Sequence, residues 1–414
     1  MQLVEQHVID RTDPRYRVID AAAFASKNLY NAANYEIRQA YIFEGRYVPY
    51  NELDKLMQSH EAYRALPAKV AQQVLRQLDQ CWQAFFAARK AYRQDPSKFL
   101  GKPKLPKYKD KANGRNVLIY TEQAISRKGL KRSLICPSML PIEVKTNQTS
   151  IDQVRIVPRH GYYVVEVIYE QKVQPADVNP DLCAGVDLGI NNVAAIASNK
   201  PGFVPRLVNG RSLKAMNQWY NKRKAQLQQK LGKTGTTHQM EQLTNKRNRR
   251  INHMLHTASK QIIDLLVQEG IGTLIIGKND GWKQAVEMGK RTNQNFVQIP
   301  HARFIQMLTY KAELVGIQVI LTEESYTSKA SFLDLDPLPV RDPMRTEEPK
   351  FSGRRVKRGL YRASGKRYLN ADVNGAYNII RKGKPDAFNA KGVAGLVVHP
   401  VRIARTKPTK SRAL

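Results

Sequence analysis

Apolar residues return every third or fourth position between Pro67 and Tyr92, where Val70, Val74, Leu75, Leu78, Trp82 and Phe85 share one face of a helix. Arg15 to Phe43 predicts a second helix. From Val117 to Tyr169 the period shortens to β-prone runs, among them Gln153 to Val157 and Tyr162 to Tyr169 across an Arg159-His160-Gly161 turn. A small β-barrel or sheet is expected there. The polar stretch Gln174 to Asp181, with Pro and Asp, reads as a domain boundary, and no internal repeat is present.

Beyond that boundary the pattern alternates. Cys183 to Asp187 predicts a buried strand, Gly189 to Asn192 a tight turn, and Val193 to Ala197 and Phe203 to Val208 two more strands, together a three-stranded meander. Polar-faced helices over Ser212 to Leu231 and His238 to Glu269 follow. Next come a strand at Thr273 to Ile276, a helix from Ala302 to Val315 ended by Gly316, a strand at Ile317 to Leu321 and a helix from Ala371 to Ile380. The order β-β-β-α-β-α-β-α is that of an RNase H-like fold, so the expected class is α/β plus α+β.

The 414 residues suffice for two or three domains, and 42% hydrophobic content is that of a globular chain. Charge changes the picture most. Lys and Arg number 68 against 35 Asp and Glu, a formal charge of +33. A compact body that repels itself so strongly implies a polyanionic partner, nucleic acid before all. No run of eighteen apolar residues and no signal pattern opens a membrane reading, so a cytoplasmic chain is expected, nucleoid-associated when bound to DNA. Cys81, Cys136 and Cys183 are odd in number and too far apart for a CxxC knuckle; three buried thiols are expected.

Lys98, Lys102, Lys104, Lys107, Lys109 and Lys111 interleave with Phe99, Pro103, Pro106 and Tyr108. Such a segment either follows a phosphate backbone while its rings stack on bases or is a solvated loop. Arg247, Arg249 and Arg250 crowd one part of the second polar helix.

Two acids stand where an RNase H-like sheet collects carboxylates. Asp187 ends the first strand of the meander, within Gly185-Val186-Asp187-Leu188-Gly189, and Asp372 opens the last helix, within Asn370-Ala371-Asp372-Val373-Asn374. Asp372 alone is also a good helix cap, and Asp187 alone a turn cap. Phosphodiester cleavage needs an activated water and a stabilised leaving oxygen. Two Mg²⁺ or Mn²⁺ ions roughly 4 Å apart, held by carboxylates, supply both.

The segments Gly185-Val186-Asp187-Leu188-Gly189-Ile190, Tyr326-Thr327-Ser328 and Asn370-Ala371-Asp372-Val373-Asn374 resemble the RuvC motifs of TnpB, the transposon-associated ancestor of type V CRISPR effectors. The likeness continues through Lys278-Asn279-Asp280-Gly281-Trp282-Lys283 and Asn293 to Pro300, and covers at least Cys183 to Lys382. It implies a wedge β-barrel with an inserted helical recognition region (about 15–95) over residues 1–176. A RuvC-like nuclease domain would follow over 182–385, with a helical insertion at 211–269 and another insertion at 329–369. A basic tail over 386–414, including Arg402 to Arg412, is expected to be disordered.

The chain departs from the family in two places. The family's second catalytic Glu follows the fourth strand, where this chain has Gly277. The fifth strand instead runs into Thr322-Glu323-Glu324-Ser325, so Glu324 is assigned as the relocated ligand, ahead of Glu323 and then Asp280; only one of the two neighbouring acids points inward on a strand. Asp187, Glu324 and Asp372 are thus the expected catalytic and metal-binding set. The family's zinc ribbon is also missing, because Lys329 to Leu369 holds no Cys or His. No zinc is expected. In its place Arg354, Arg355, Lys357 and Arg358, with further cations, accompany Phe351, Tyr361 and Tyr368, and read as a metal-free nucleic-acid-binding insertion. The resemblance implies a guide RNA and target DNA as partners and RNA-guided cleavage as the activity. A nuclease-dead guided DNA-binding protein and a DNA-joining transposase are the alternatives.

Overall fold

The computed structural model describes residues 1–232, 235–279, 290–340, 349–388, 393 and 395–403, and divides into two compact units, Met1–Gln171 and Lys172–Leu414. Asp280, part of the Lys278 to Lys283 motif and the tail from residue 404 lie outside the described residues.

The first unit opens on strand β1 (Gln2–Asp10), followed by helices α1 (Arg15–Phe43), α2 (Tyr50–Met57), α3 (Glu61–Arg64) and α4 (Ala68–Gln94). Strand β2 (Leu118–Thr121), helix α5 (Arg127–Lys131), strands β3 (Leu134–Ile135) and β4 (Val144–Lys145), and the hairpin β5 (Gln153–Arg159) and β6 (Tyr162–Glu170) complete it. The β part is a four-stranded antiparallel sheet in the order β1-β6-β5-β2 beside a two-stranded β3-β4 ribbon. The periodic face read from Val70 to Trp82 is buried against α1 residues such as Ile19, Leu29 and Ile37.

A polar stripe on α1 grips the following basic segment by its backbone. Lys27, Asn31, Asn34 and Arg38, spaced so that they share one helix face, donate to the carbonyls of Lys111, Lys109 and Pro106 at 2.7–3.1 Å. Asn31 also accepts from the Lys109 amide at 2.9 Å. Residues 106–111 are therefore a strap fixed by its main chain, which leaves Lys104 and Lys107 exposed.

The second unit contains β7 (Asn179–Asp187), β8 (Asn192–Ser198), β9 (Arg206–Asn209), α6 (Arg211–Leu231), α7 (His238–Gln268), β10 (Ile271–Gly277), α8 (Lys290–Val297), α9 (His301–Leu314) and β11 (Gln318–Thr322). After these come β12 (Arg354–Lys357), β13 (Leu360–Arg362), β14 (Tyr368–Asn370), α10 (Ala371–Gly383) and β15 (Val401–Arg402). Its main sheet runs β11-β10-β7-β8-β9-β15. The antiparallel meander β7-β8-β9 is flanked by parallel β10 and β11, which is the RNase H-like arrangement. Every residue of β10 is buried, as a central parallel strand covered on both faces requires. Val186, Leu274 and Ile276 face a core with α7 and α9, while Cys183 and Ile275 face Val373, Ala376, Ile379 and Ile380 of α10.

Strands β12, β13 and β14 form a separate antiparallel sheet within the cysteine-free insertion. Two aspartates fasten it. The Asp336 carboxylate accepts from the amides of Ser331 (2.7 Å) and Ser352 (3.0 Å) and from the Ser352 hydroxyl (2.5 Å). Asp334 accepts from the Ser331 hydroxyl (2.6 Å), the Ser364 amide (3.0 Å), the Ser364 hydroxyl and Arg367 (2.5 Å). Asn374 and Asn378 of α10, both fully buried, donate to the Ala330 carbonyl at 2.8 and 2.9 Å. The loop after Glu324 is thereby locked to the helix that carries Asp372. The expectation of three buried thiols holds only for Cys183; Cys81 is exposed and Cys136 half-buried, because Cys81 falls on the outer side of α4.

Candidate active site

The first candidate acid stands at the end of β7. Asp187 is the last residue of the strand and lies on the sheet face covered by α10. Its carboxylate packs so tightly on the first turn of α10 that a Cβ at Gly375 would stand 2.8 Å from Asp187 Oδ2. Any larger residue at position 375 would displace the acid.

Asp372 is not the cap of its helix. Asn370 takes that role, its side-chain oxygen accepting from the amides of Asp372 (3.0 Å) and Val373 (3.2 Å). The Asp372 carboxylate is thus released to face the sheet edge, where Oδ2 accepts from Asn192 Nδ2 at 2.7 Å and Oδ1 from Arg355 at 3.3 Å.

Glu323 and Glu324 go separate ways, as alternation along an extended chain demands. Thr322 pairs with Gly277 in the parallel β10–β11 ladder, and Glu324, two residues on, reaches back over that glycine. A Cβ at position 277 would meet Glu324 Oε2 at 2.7 Å. The carboxylate of Glu324 therefore occupies the space into which a side chain at 277 would project. Asn279 holds the turn by accepting from the Glu324 amide at 2.9 Å, and the Thr327 hydroxyl donates to the Glu324 carbonyl at 2.9 Å. Glu323 instead accepts from the Ser325 amide (2.7 Å) and pairs with Lys382, a lysine only 5% exposed. Its carboxylate is committed to a buried cation.

Repulsion and burial mark the acids that do converge. Burial pushes the Asp187 carboxyl up to about 7, with the Asp372 carboxylate adding to the rise and the Arg355 guanidinium opposing it. Burial, and then the charge of Asp187, pushes Glu324 up to about 8. An acid whose folded pKa is raised binds its proton more tightly in the folded chain. It costs nothing below the ordinary carboxyl range, and the cost grows as pH rises through 4 toward 7 and 8. Without divalent cations, Asp187→Asn is expected to stabilise the chain at pH 8 by about 1–3 kcal/mol and by much less at pH 5. The lower end applies if pocket water reaches the carboxylate. Equal melting shifts at the two pH values would refute this electrostatic account.

The three acids open onto one pocket of about 1380 Å³. Asn192, Asn279, Tyr326, Thr327 and Asn370 line it, and its cationic wall is Arg211, Lys329, Arg355, Lys357, Arg358 and Arg402. Among the described residues no three His, Cys, Asp or Glu stand close enough to form a preformed metal cage. The donor set still suits Mg²⁺ or Mn²⁺, since a hard cation of this kind keeps several waters and binds through one or two carboxylates plus substrate phosphate.

The basic residues singled out from the sequence divide by environment. Lys98, Lys102, Lys104 and Lys107 are exposed in the first unit, Lys98 beside Asp95 at 3.3 Å. Lys109 is taken up by the fold, its ammonium 4.8 Å from the Tyr30 ring centre. In the second unit Arg247 is likewise engaged, donating to Asn217 (2.9 Å) and the Gln298 carbonyl (3.1 Å), whereas Arg249 and Arg250 are exposed. Arg355, Lys357 and Arg358 line the pocket; Arg354, one place along β12, is exposed but not among its lining residues. Asn192, Asn279 and Lys382 carry no role in the sequence reading, although Asn192 closes the turn that follows Asp187 and Asn279 lies within the Lys278 to Lys283 motif.

Residues 166–283 match the family OrfB_IS605, described as a probable transposase, and residues 301–379 match the Cas12f1-like TNB domain. The TnpB-like protein ORF457 of Acidianus two-tailed virus is 22% identical over 433 residues, covering 94% of this chain and 89% of that protein. Among solved structures, the Cas12f1 chain of a Cas12f1-sgRNA-target DNA complex superposes with a TM-score of 0.50 at 14% identity, over 88% of this chain and 81% of that one. The mini-RNA-guided endonuclease CRISPR-Cas_phi3 gives 0.49 at 8% identity, over 97% and 94%. No described helix is long and apolar enough to cross a membrane. The two family matches and the virus-encoded relative make the chain similar to OrfB_IS605 and TnpB-like proteins, and the Cas12f1 superposition shows a shared fold.

Proposed function

We propose that this chain is an RNA-guided, metal-dependent DNA endonuclease, with Asp187, Glu324 and Asp372 as its acidic centre. The observation that carries the reading is that these three carboxylates line one pocket, whose other wall is cationic. Spare acids are costly on a surface meant for DNA, so three lining one pocket imply work to do. Asp187, Glu324 and Asp372 would hold Mg²⁺ or Mn²⁺, which when bound supplies activation of water and stabilisation of the leaving oxygen. Lys357 and Arg358 would bind the phosphates flanking the scissile bond. Asn192 fixes the orientation of Asp372, and Asn279 that of the Glu324 turn. Arg355 balances the charge of Asp372.

The Cas12f1 protein whose fold the chain shares is described with an sgRNA and target DNA, and we extend those two partners to this chain. Base pairing with the guide would select the target, while the protein reads a short adjacent motif. The test is to purify the full chain, sequence the RNA that accompanies it, and offer duplex DNA matching that guide with Mg²⁺. A defined RNA and cut target are expected. A defined RNA with bound but uncut target would favour the nuclease-dead reading, and the absence of any defined RNA the transposase.

A further inference from the structure

Tyr326 has a backbone conformation that ring-bearing residues avoid. Its φ is +64°, in the left-handed region where the Cβ crowds the following carbonyl and where glycine or asparagine normally stands. The chain nevertheless keeps a tyrosine there, two residues after Glu324. Its carbonyl accepts from the amides of Lys329 and Ala330, both at 2.9 Å, so the turn is fully hydrogen-bonded and would form as well around a smaller residue. Strain of this kind persists where the side chain is wanted.

The side chain lines the same pocket as Asp187, Glu324 and Asp372. Its ring centre is 5.8 Å from that of Phe351 at an interplanar angle of 45°, and Lys329 Nζ lies 5.9 Å from the ring centre. Neither ring is fully buried. A half-exposed aromatic ring backed by a second one, next to a lysine and facing a cationic wall, matches the chemistry of an unpaired nucleotide: a flat base for the ring and a phosphate for the cations. A base within a duplex is already stacked and offers no free face.

We propose that Tyr326, supported by Phe351, is a ledge on which one unpaired base of the DNA strand in the pocket stacks, setting the scissile phosphate against the acidic centre. This rests on the nuclease reading above but adds a positioning contact residue.

The test uses the full chain carrying Asp187→Asn, so that DNA is not cut, and single-stranded oligonucleotides with 2-aminopurine placed at successive positions. Fluorescence quenching is expected at one or two adjacent positions. Tyr326→Phe should keep it; Tyr326→Asn, which tolerates the left-handed backbone but lacks the ring, should lose it and weaken oligonucleotide binding by about tenfold. Phe351→Leu should weaken the quenching partly, without touching the strained turn. In the cleaving chain Tyr326→Asn should blur the cut position while Tyr326→Phe keeps it sharp. Quenching that survives in Tyr326→Asn, or that is seen at no position, overturns the ledge. Failure of the nuclease reading would look different: ring-dependent quenching would persist while the parent chain left a guided target intact.

Discussion

Glu324→Gln is expected to abolish target cleavage, by a factor on the order of 10³ or more, whereas Glu323→Gln should leave it within about twofold. The substitution keeps size and hydrogen bonding and removes only the charge. The contrast between neighbours follows from their surroundings, since Glu324 faces Asp187 over Gly277 and Glu323 faces Lys382. Asp187→Ala and Asp372→Ala should match the first result, with guide and target binding retained in all three. Glu324 and the Ile379 side chain together fill the space above Gly277, so Gly277→Glu with Glu324→Ala should recover part of the lost activity only to the extent that Ile379 shifts rotamer. Single-turnover cutting of a guided duplex measures each variant. Normal cutting by Glu324→Gln would remove that residue from the site.

Affinity for nucleic acid should fall by about 10³-fold or more between 50 and 200 mM salt if six or more phosphates are neutralised, each contributing about 0.7–0.9 to the slope of log affinity against log salt. The net charge of +33 makes such a number of contacts available. Charge reversal at Lys357 and Arg358, which line the pocket, should flatten the slope; so should reversal at the exposed Lys104 and Lys107. Reversal at Lys109 should act mainly through stability, because that ammonium lies over Tyr30. A titration with no slope would leave the positive charge without its assigned purpose.

The helices and the order of the nuclease sheet were legible because their periods are long and regular. Arg15 to Phe43 is a helix from end to end, and β7, β8, β10 and β11 lie within a few residues of the runs that predicted them. Strands β7 and β11 both pair with β10, and the ends that carry Asp187 and Glu324 lie on the same side of the sheet. Strand β1 was hidden by inverted polarity. Val4 and Val8 are 48% and 40% exposed, while Glu5 turns inward to accept from Thr146 and Gln148. Its partner β6 also lies more than a hundred residues away in sequence, beyond the reach of local pattern. Strand β15 is two residues long and exists only by pairing with β9. Side-chain partnerships such as Asn370 capping the helix in place of Asp372, or Lys382 drawing Glu323 away, depend on rotamers that no spacing reveals.

The aspartate fastening of the β12-β13-β14 insertion alters what can undo it. A ribbon closed by cysteines and zinc comes apart when a chelator takes the ion. Here burial pushes the Asp334 carboxyl up, but the hydrogen bonds from Ser331 and Ser364 outweigh it and hold the group below the ordinary carboxylate range. A depressed acid contributes its stability above about pH 4, its unfolded value, and loses it as the pH falls through the lower folded one. Acid, not metal starvation, is therefore what would loosen this clasp. In a host short of zinc, the loop that carries Arg355 to Asp372 would keep its shape.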